Sequence, residues 1–469
     1  MSPEYPALEN LLAGFPAPYD DDPRLLLMRA CIQEISGSRE SARLMLARAE
    51  DRATSTHPLE GYEQTLAFAK LLLADDRTEL ANASEMLVKQ LKSPSLMPAH
   101  QRAAAMYLIG FAGIRHRSDP EVTLQMFSNA ATEAQAIGAT ALADRALSNL
   151  AWALAWVGQF SKAQAVIDRR TDAGTDEGWV LFAGGSAATA AGFLAYWADD
   201  LDLSLAELRK AELSGSSSDM FAGAAKILSA LSAASTRDMQ ICKQAAKELE
   251  TIPISDERGL NWVAFRHLAL AALHEASGNK ESALKVVAHY EFVTDLPLVT
   301  VVLANITMRL GQVERAVNMF DRIEPRYAGI SYVQVSALAA KALLHRQQGR
   351  RELSHEVLQK ALHIATAEGI RRPFVSGGLE MRKMLSEHLP LSSPHEAFLS
   401  GCLAPKQESG PLSALSQREK AVLTELRTTK TTQEIADSLA VSVNTVKTHQ
   451  RSIYRKLGVQ TRREAIRLA

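Results

Sequence analysis

Small and apolar positions recur along most of this chain in one pattern. A helix ends at a small or turn residue, a small residue follows five positions later, and further apolar or small residues follow at about nine and twelve. Gly37 leads in this way to Ala42, Leu46 and Ala49, and Ser118 to Thr123, Phe127 and Ala130. Gly158 leads to Ala163 and Ile167, Asp199 to Ser204, Leu208 and Ala211, and Gly278 to Ala283. Gly311 leads to Ala316, Phe320 and Ile323, and Gly349 to Ser354, Leu358 and Ala361. Asp76 with Ala81 and Thr236 with Ile241 fit more loosely. These turn points lie 39, 42, 40, 41, 37, 42, 33 and 38 residues apart, which predicts nine helical hairpins with a period near 40.

The physics of the pattern is direct. Glycine or aspartate closes the first helix of each pair, and the small residue lets the second approach it closely. One hairpin cannot bury its own apolar face, so neighbours are expected to stack into a right-handed superhelix with a long concave groove. The array resembles a tetratricopeptide-type repeat, with longer repeats than the standard period and without its full signature. The competing reading is an irregular bundle of antiparallel helices, which the near-constant spacing disfavours.

Past residue 389 the pattern breaks. Pro394, Gly401, Pro405, Gly410 and several serines predict a partly flexible connector over 390–411. A compact block follows over 412–469, with helix starts written into it. Ser416-Gln417-Arg418-Glu419, Thr431-Thr432-Gln433-Glu434 and Thr461-Arg462-Arg463-Glu464 are capping boxes, and Ser442 is a further N-cap. Gly458 follows Leu457 as a stop, so four short helices are expected at about 417–428, 432–439, 443–457 and 462–468. Val422, Leu423, Leu426, Ile435, Ala436, Leu439, Val446, Ile453, Leu457 and Ile466 supply one small core.

Only Ala440-Val441-Ser442 separates the second helix from the third, the tight connection of a helix-turn-helix. The third helix carries an apolar stripe of Val443, Val446, Ile453 and Leu457. Its other face holds Asn444, Thr445, Lys447, Thr448, Arg451 and Arg455, short hydrogen-bonding groups interleaved with cations. Such a face suits insertion into the major groove of double-stranded DNA.

Charge sharpens this division. The net charge of −1 conceals a C-terminal stretch from Pro411 onward with eleven Lys+Arg against five Asp+Glu, a net of +6 on a body of −7. A short basic end on a long acidic body is the signature of a nucleic-acid-binding module carried by a separate sensor. With 47% hydrophobic and 6% aromatic residues the chain has apolar material for a helical core. Cys31, Cys242 and Cys402 are widely spaced and read as buried thiols in a reducing, cytoplasmic compartment. The start, Met1-Ser2-Pro3-Glu4, lacks a signal-peptide pattern.

Gly178 to Ala198 is uncharged over 21 residues, but its glycines, its acidic flanks and its phase with the repeat favour a buried helix pair over a membrane span. Neither an enzyme nor a cofactor is expected. Gly278-Asn279-Lys280-Glu281-Ser282 imitates only the end of a phosphate loop, and His274-Glu275 and His355-Glu356 lack a second histidine for zinc. Arg371-Arg372 and Asp20-Asp21-Asp22 read as solvated charge.

Leu415-Ser416-x-Arg418-Glu419, Glu434-Ile435-Ala436, Val443 to His449 and Lys456-Leu457-Gly458-Val459 together resemble the LuxR-type DNA-binding domain over Leu415 to Ala465. The resemblance implies that Lys447, Thr448 and Arg451 read base edges. By the same comparison Thr445 and Arg455, with Asn444 and the hydroxyl of Thr432, hold phosphates, and the fourth helix serves a homodimer on DNA. Thr429 departs from the glycine that the family favours between its first two helices.

The run Ala367 to Phe374 ahead of Gly378-Leu379, and the opening Phe15-Pro16 with Pro23-Arg24-Leu25, resemble the ends of the superhelical sensor domain in large MalT-like LuxR regulators. Those regulators place an ATPase and a winged helix before that domain. Neither is in this sequence, so switching by ATP is not carried over.

The expected protein is therefore all-α: a right-handed superhelical array of about nine hairpins over 1–389, a linker, and a four-helix LuxR-type helix-turn-helix domain over 412–469. The expected function is sequence-specific regulation of transcription, with RNA polymerase as a partner and a small-molecule or protein effector in the repeat groove. The alternative is an interaction scaffold whose helix-turn-helix is vestigial or dimerising.

Overall fold

The computed structural model describes the chain except for residues 1–9, 13, 16–20, 36–37, 55–60, 93–96, 117, 171–185, 215–219, 253–259, 392–393, 405–415, 429, 440, 458, 460, 463–464 and 466–469. Two compact units divide it, Met1–Cys402 and Leu403–Ala469.

The first unit is an array of nine hairpins among the described residues. They pair α1 (Pro23–Ile35) with α2 (Arg39–Thr54), α3 (Tyr62–Leu73) with α4 (Arg77–Leu91), and α5 (Ala99–His116) with α6 (Pro120–Ala136). Next come α7 (Thr140–Trp156) with α8 (Phe160–Arg169), α9 (Ser186–Trp197) with α10 (Leu201–Ser214), and α11 (Met220–Thr236) with α12 (Met239–Leu249). The last three pair α13 (Trp262–Ala276) with α14 (Lys280–Tyr290), α15 (Pro297–Arg309) with α16 (Val313–Asp321), and α17 (Ser331–Gln347) with α18 (Arg351–Glu368).

Six of the turns share one geometry. Gly158, Asp199, Arg237, Gly278, Gly311 and Gly349 all lie at positive φ, between 58° and 87°. At Gly158 the amide bonds the Ala155 carbonyl (3.0 Å) and the next amide, Gln159, reaches back to Leu154 (2.9 Å). That pair of bonds satisfies the last carbonyls of the helix, and Gln159 then opens the second helix without further residues. The residue five positions past each of these six turns is buried: Ala163, Ser204, Cys242, Ala283, Ala316 and Ser354. Where it is serine, its hydroxyl donates to a carbonyl of the facing helix, Ser204 to Gly192 and Ser354 to Ala342, both at 2.8 Å. Gly192 is itself required, because a Cβ there would fall 2.5 Å from Leu208 Cγ.

The two loose repeats were misregistered by one residue. Asp76 and Asp238 are N-caps, each accepting two backbone amides at the start of the second helix. The buried residue after Asp76 is therefore Leu80 and not the exposed Ala81, and after Arg237 it is Cys242 and not the exposed Ile241. A positive-φ arginine carries no sequence signal. Gly37 and most of the uncharged segment from Gly178 lie outside the described residues, and the described part of that segment forms α9, with Phe193 and Trp197 fully buried. No described helix is long and apolar enough to cross a membrane.

The array curls until distant hairpins touch, with the turn of one hairpin meeting the start of the fifth hairpin beyond it. Arg77 in the turn of the second donates to Asn261 at the head of the seventh. The Gly158 and Trp156 carbonyls of the fourth accept from Ser331 Oγ (2.5 Å) and Tyr332 OH (3.1 Å) of the ninth. The Trp197 carbonyl of the fifth accepts the Arg371 amide (2.9 Å), just past the ninth. The side chain of Tyr332 fills the inside of the coil, stacking on Trp197 (5.0 Å between centroids) and meeting Phe193 edge-on (5.7 Å). The long open groove is thus closed across the fourth, fifth and ninth hairpins.

Two further expectations change. Arg372 is not solvated: it is buried, 2.9 Å from Asp199 Oδ1, bonded to the Ser235 hydroxyl and seated over the Tyr196 ring at 4.2 Å. Asp199 holds the turn position where four of its counterparts are glycine, so a left-handed aspartate is kept where its carboxylate meets a buried cation. The connector expected over 390–411 is in part a helix, α20 (Glu396–Leu403), with Phe398, Leu399 and Cys402 buried, and it follows α19 (Gly378–His388). Residues 405–411 lie outside the described residues.

Two turns separate backbone strain from packing. Gly278 has open space around its missing Cβ, whereas a Cβ on Gly158 would lie 2.5 Å from the Ser331 amide. Gly278→Ala should cost about 1 kcal/mol of unfolding free energy, and Gly158→Ala at least about twice that, by urea denaturation of the full chain. Asp199→Gly relieves the strained turn but strands Arg372. It should destabilise the chain by about 3 kcal/mol in the same assay, and a neutral or stabilising result would refute the structural role of the pair.

Candidate nucleic-acid interface

The second unit is built on three described helices: α21 (Gln417–Leu426), α22 (Thr432–Ser438) and α23 (Val443–Leu457). Both capping boxes expected at the first two are formed. Ser416 Oγ accepts the Glu419 amide while Glu419 returns a carboxylate oxygen to the Ser416 amide (2.6 Å), and Thr431 and Glu434 repeat the arrangement. Ser442 Oγ accepts the Thr445 amide at 3.1 Å and starts α23. The fourth helix, its capping box, Thr429, Ala440 and Gly458 fall mainly or wholly outside the described residues.

Val422, Leu423, Leu426, Ile435, Ala436, Val446, Ile453 and Ala465 form the core, with Leu439, Val441 and Val443 packed at its margin. The side chains of Leu457 and Ile466 are not among those described. The seven-residue step from Val446 to Ile453 turns one side of α23 inward, with His449 and Gln450 half-buried on it, and leaves Lys447, Thr448 and Arg451 on the opposite, outward side.

Asn444, Lys447, Thr448, Arg451 and Arg455 are all exposed on that outward side, and Thr432 and Thr445 are half-buried. The Thr448 hydroxyl donates to the Asn444 carbonyl at 2.9 Å, leaving its methyl group and oxygen lone pairs outward, while the Thr445 hydroxyl lies 2.8 Å from Ser442 Oγ. Six of the seven residues singled out from sequence share this helix. Thr432 stands at the first turn of α22.

Cations on α23 divide into two kinds. Lys456 is held 2.7 Å from Glu419 Oε2, tying the end of α23 to the start of α21. This ion pair, with the Ser416 amide bond, holds the buried Glu419 carboxyl down at about 2. No ion pair engages Lys447, Arg451 or Arg455 among the described residues. One basic side chain is thus spent on the fold, while three on the outward face carry positive charge to solvent. Arg462, missed from sequence, donates from its guanidinium to the Leu426 (3.0 Å) and Thr428 (2.8 Å) carbonyls and closes the end of α21. No local pattern marks that role, because its acceptors lie more than thirty residues upstream.

Residues 413–469 match the family model for bacterial regulatory proteins of the luxR family. The C-terminal unit is a LuxR-type helix-turn-helix domain. The chain is also similar to the HTH-type transcriptional regulator MalT of Serratia proteamaculans (strain 568), 29% identical over 198 residues that cover 36% of this chain and 22% of that protein. The match therefore spans about a fifth of that curated relative. Among solved structures, the APC/C hetero-tetramer Cut9-Hcn1 is similar at a TM-score of 0.45 and 16% identity, over 85% of this chain and 80% of that one.

The Glu419 carboxylate gives a pH test with a definite sign. Its folded pKa is depressed to about 2, so its contribution is full above the ordinary carboxylate value and is lost as pH falls toward 2. Glu419→Gln should speed hydrogen exchange of the α21 amides at pH 7 by a factor corresponding to about 2 kcal/mol. The gap from the native chain should narrow steadily below about pH 4.5. A gap that stayed constant with pH would mean that Glu419 acts by packing alone.

Proposed function

We propose that the chain is a sequence-specific transcriptional regulator that binds double-stranded DNA through α23. The observation that carries this reading is the outward face of α23, where Lys447, Arg451 and Arg455 stand exposed on a helix-turn-helix core, with no ion pair to them among the described residues. In this reading Lys447 and Arg451 donate to guanine O6 and N7, and the Thr448 methyl meets a thymine methyl. Arg455, Asn444, Thr445 and Thr432 fix the helix against the phosphates. The contact with Ser442 Oγ at 2.8 Å holds the Thr445 hydroxyl at the head of α23, where the first-turn amides face the backbone.

The finer assignments belong to the same proposal. The division is a repeat body, a connector and the DNA-binding domain, and two copies meet on an operator through the fourth helix. The setting is the cytoplasm, with RNA polymerase as the downstream partner. The repeat body holds an effector and alters how the DNA-binding domain is presented, and the chain acts by binding and not as an enzyme.

The test is duplex binding by the full chain, measured by fluorescence anisotropy across a salt series on sites selected from a random library. The logarithm of affinity should fall linearly with that of salt concentration. Lys447→Ala/Arg451→Ala should lose sequence preference, at about 1–3 kcal/mol per base contact. Arg455→Ala should weaken all sequences alike and lower the salt slope by about one. A folded chain that binds no duplex even at low salt, with or without effector, would leave the interaction-scaffold reading in its place.

A further inference from the structure

The seam between distant hairpins opens into a cavity at one point. Direct contacts join the second hairpin to the seventh and the fourth to the ninth. Between them, where the turn of the third faces the head of the eighth, residues from both stand around a cavity of about 870 Å³. Its wall also takes Trp152 and Trp156 from α7, Ile227 from α11 and Trp262 from α13. A space lined at once by hairpins 3, 4, 6, 7 and 8 lies inside the coil, and its size falls within the range of small-molecule sites.

The wall selects a chemistry. Trp156 meets Phe265 edge-on at 6.0 Å, and with Trp152 and Trp262 they give the cavity ring faces and edges on more than one side. Its two cations, Arg115 and Arg326, and its capping aspartate are occupied. The buried Arg115 donates to the Leu71 and Ala74 carbonyls, Asp119 caps α6, and Arg326 pairs with Glu324 and lies over the Tyr327 ring. One polar group stands out: the Tyr327 hydroxyl is buried with no hydrogen-bond partner. An orphaned hydroxyl on a residue of the cavity wall costs free energy until something meets it.

We propose that this cavity binds an uncharged, ring-bearing small molecule that offers one hydrogen-bonding group to Tyr327. Resting on the reading of the repeat body as a sensor, the cavity is the effector site. A polyhydroxylated ligand would leave most of its hydroxyls unmet on this wall. An anionic one would find both cations of the wall, Arg115 and Arg326, already engaged. A bound molecule touches two successive turns of the superhelix and stabilises the coiled form in which they stand opposite each other.

The test uses two probes that differ by one hydroxyl, 2-phenylnaphthalene and 6-phenyl-2-naphthol, with 6-phenyl-2-naphthoate as the charged control. Binding to the full chain is read by quenching of tryptophan fluorescence and by the shift in unfolding temperature. Both neutral probes should bind at one per chain and raise the unfolding temperature, the naphthol about tenfold more tightly. Tyr327→Phe should reduce that preference to less than about twofold without loss of fold. Ile227→Trp, which fills the cavity, should abolish binding of both. Should that variant fail to fold, the Tyr327→Phe comparison decides alone.

Absence of saturable binding, equal binding of the naphthoate, or a naphthol preference that survives Tyr327→Phe would each overturn the proposal. Probe binding does not depend on DNA. A chain that binds the probes as expected but never binds duplex keeps the cavity and refutes the regulator, and the converse result does the reverse.

Discussion

At the turn of the fourth hairpin two backbones meet with no room for a side chain between them. The Gly158 carbonyl accepts the Ser331 hydroxyl, and the Ser331 amide occupies the place where a side chain on Gly158 would begin. This contact joins segments 173 residues apart, and it exists only because every intervening hairpin delivers its share of rotation and rise. That rotation is set locally, by a turn of two or three residues with a left-handed residue and by the small residue that brings each second helix close to the first. The pitch of the coil, the aromatic filling around Tyr332 and the cavity between the third and eighth hairpins all follow from it. Repeats normally contact only their neighbours. Here a second set of contacts, one superhelical turn away, ties distant hairpins together as well.

The seam is polar where it could have been apolar, and this has energetic consequences. Backbone carbonyls at helix ends need partners, and Ser331, Tyr332 and the Arg371 amide supply them from the next turn. Arg372 and Asp199 go further and bury a charge pair. Such a pair adds little net stability over a hydrophobic contact of the same shape, but losing one partner is costly. It therefore specifies register more than it adds strength: the segment after α18 docks at the fifth hairpin, where its cation finds a carboxylate. Arg309 with Glu275 works similarly between the eighth and seventh hairpins, at 2.6 and 2.7 Å.

What was legible in the sequence is what local chemistry determines. The nine hairpins came from turn and small-residue spacing, and the three described helices of the DNA-binding unit from two capping boxes and a serine N-cap that form as written. The failures are equally physical. Arg237 adopts a conformation usually left to glycine, so its repeat was displaced by one residue. At the second hairpin the N-cap Asp76 was mistaken for the turn itself. Arg372 was read as solvated because its partners lie 137 and 173 residues away. The helix at Glu396–Leu403 was hidden by the prolines and serines around it, though Phe398 and Leu399 were there to be buried. The cavity had no sequence trace at all, since its wall is assembled from five hairpins.

The same separation between local and distant determinants bears on how such a protein responds to a ligand. A ligand shifts a conformational equilibrium only by the difference between its affinities for the two states. A site within one hairpin would see nearly the same surroundings whether the coil were tight or relaxed. The cavity described above is different, because its walls come from successive turns that are continuous only through the coil. Any change of pitch separates Trp152 and Trp156 of α7 from the residues at the head of α15, and a ligand touching both loses part of its contacts. The seam contacts at Gly158 and Asp199 would be released in the same motion, since they report the same pitch. Binding in the cavity and closure of the seam are therefore linked by geometry, without a dedicated pathway of residues between them.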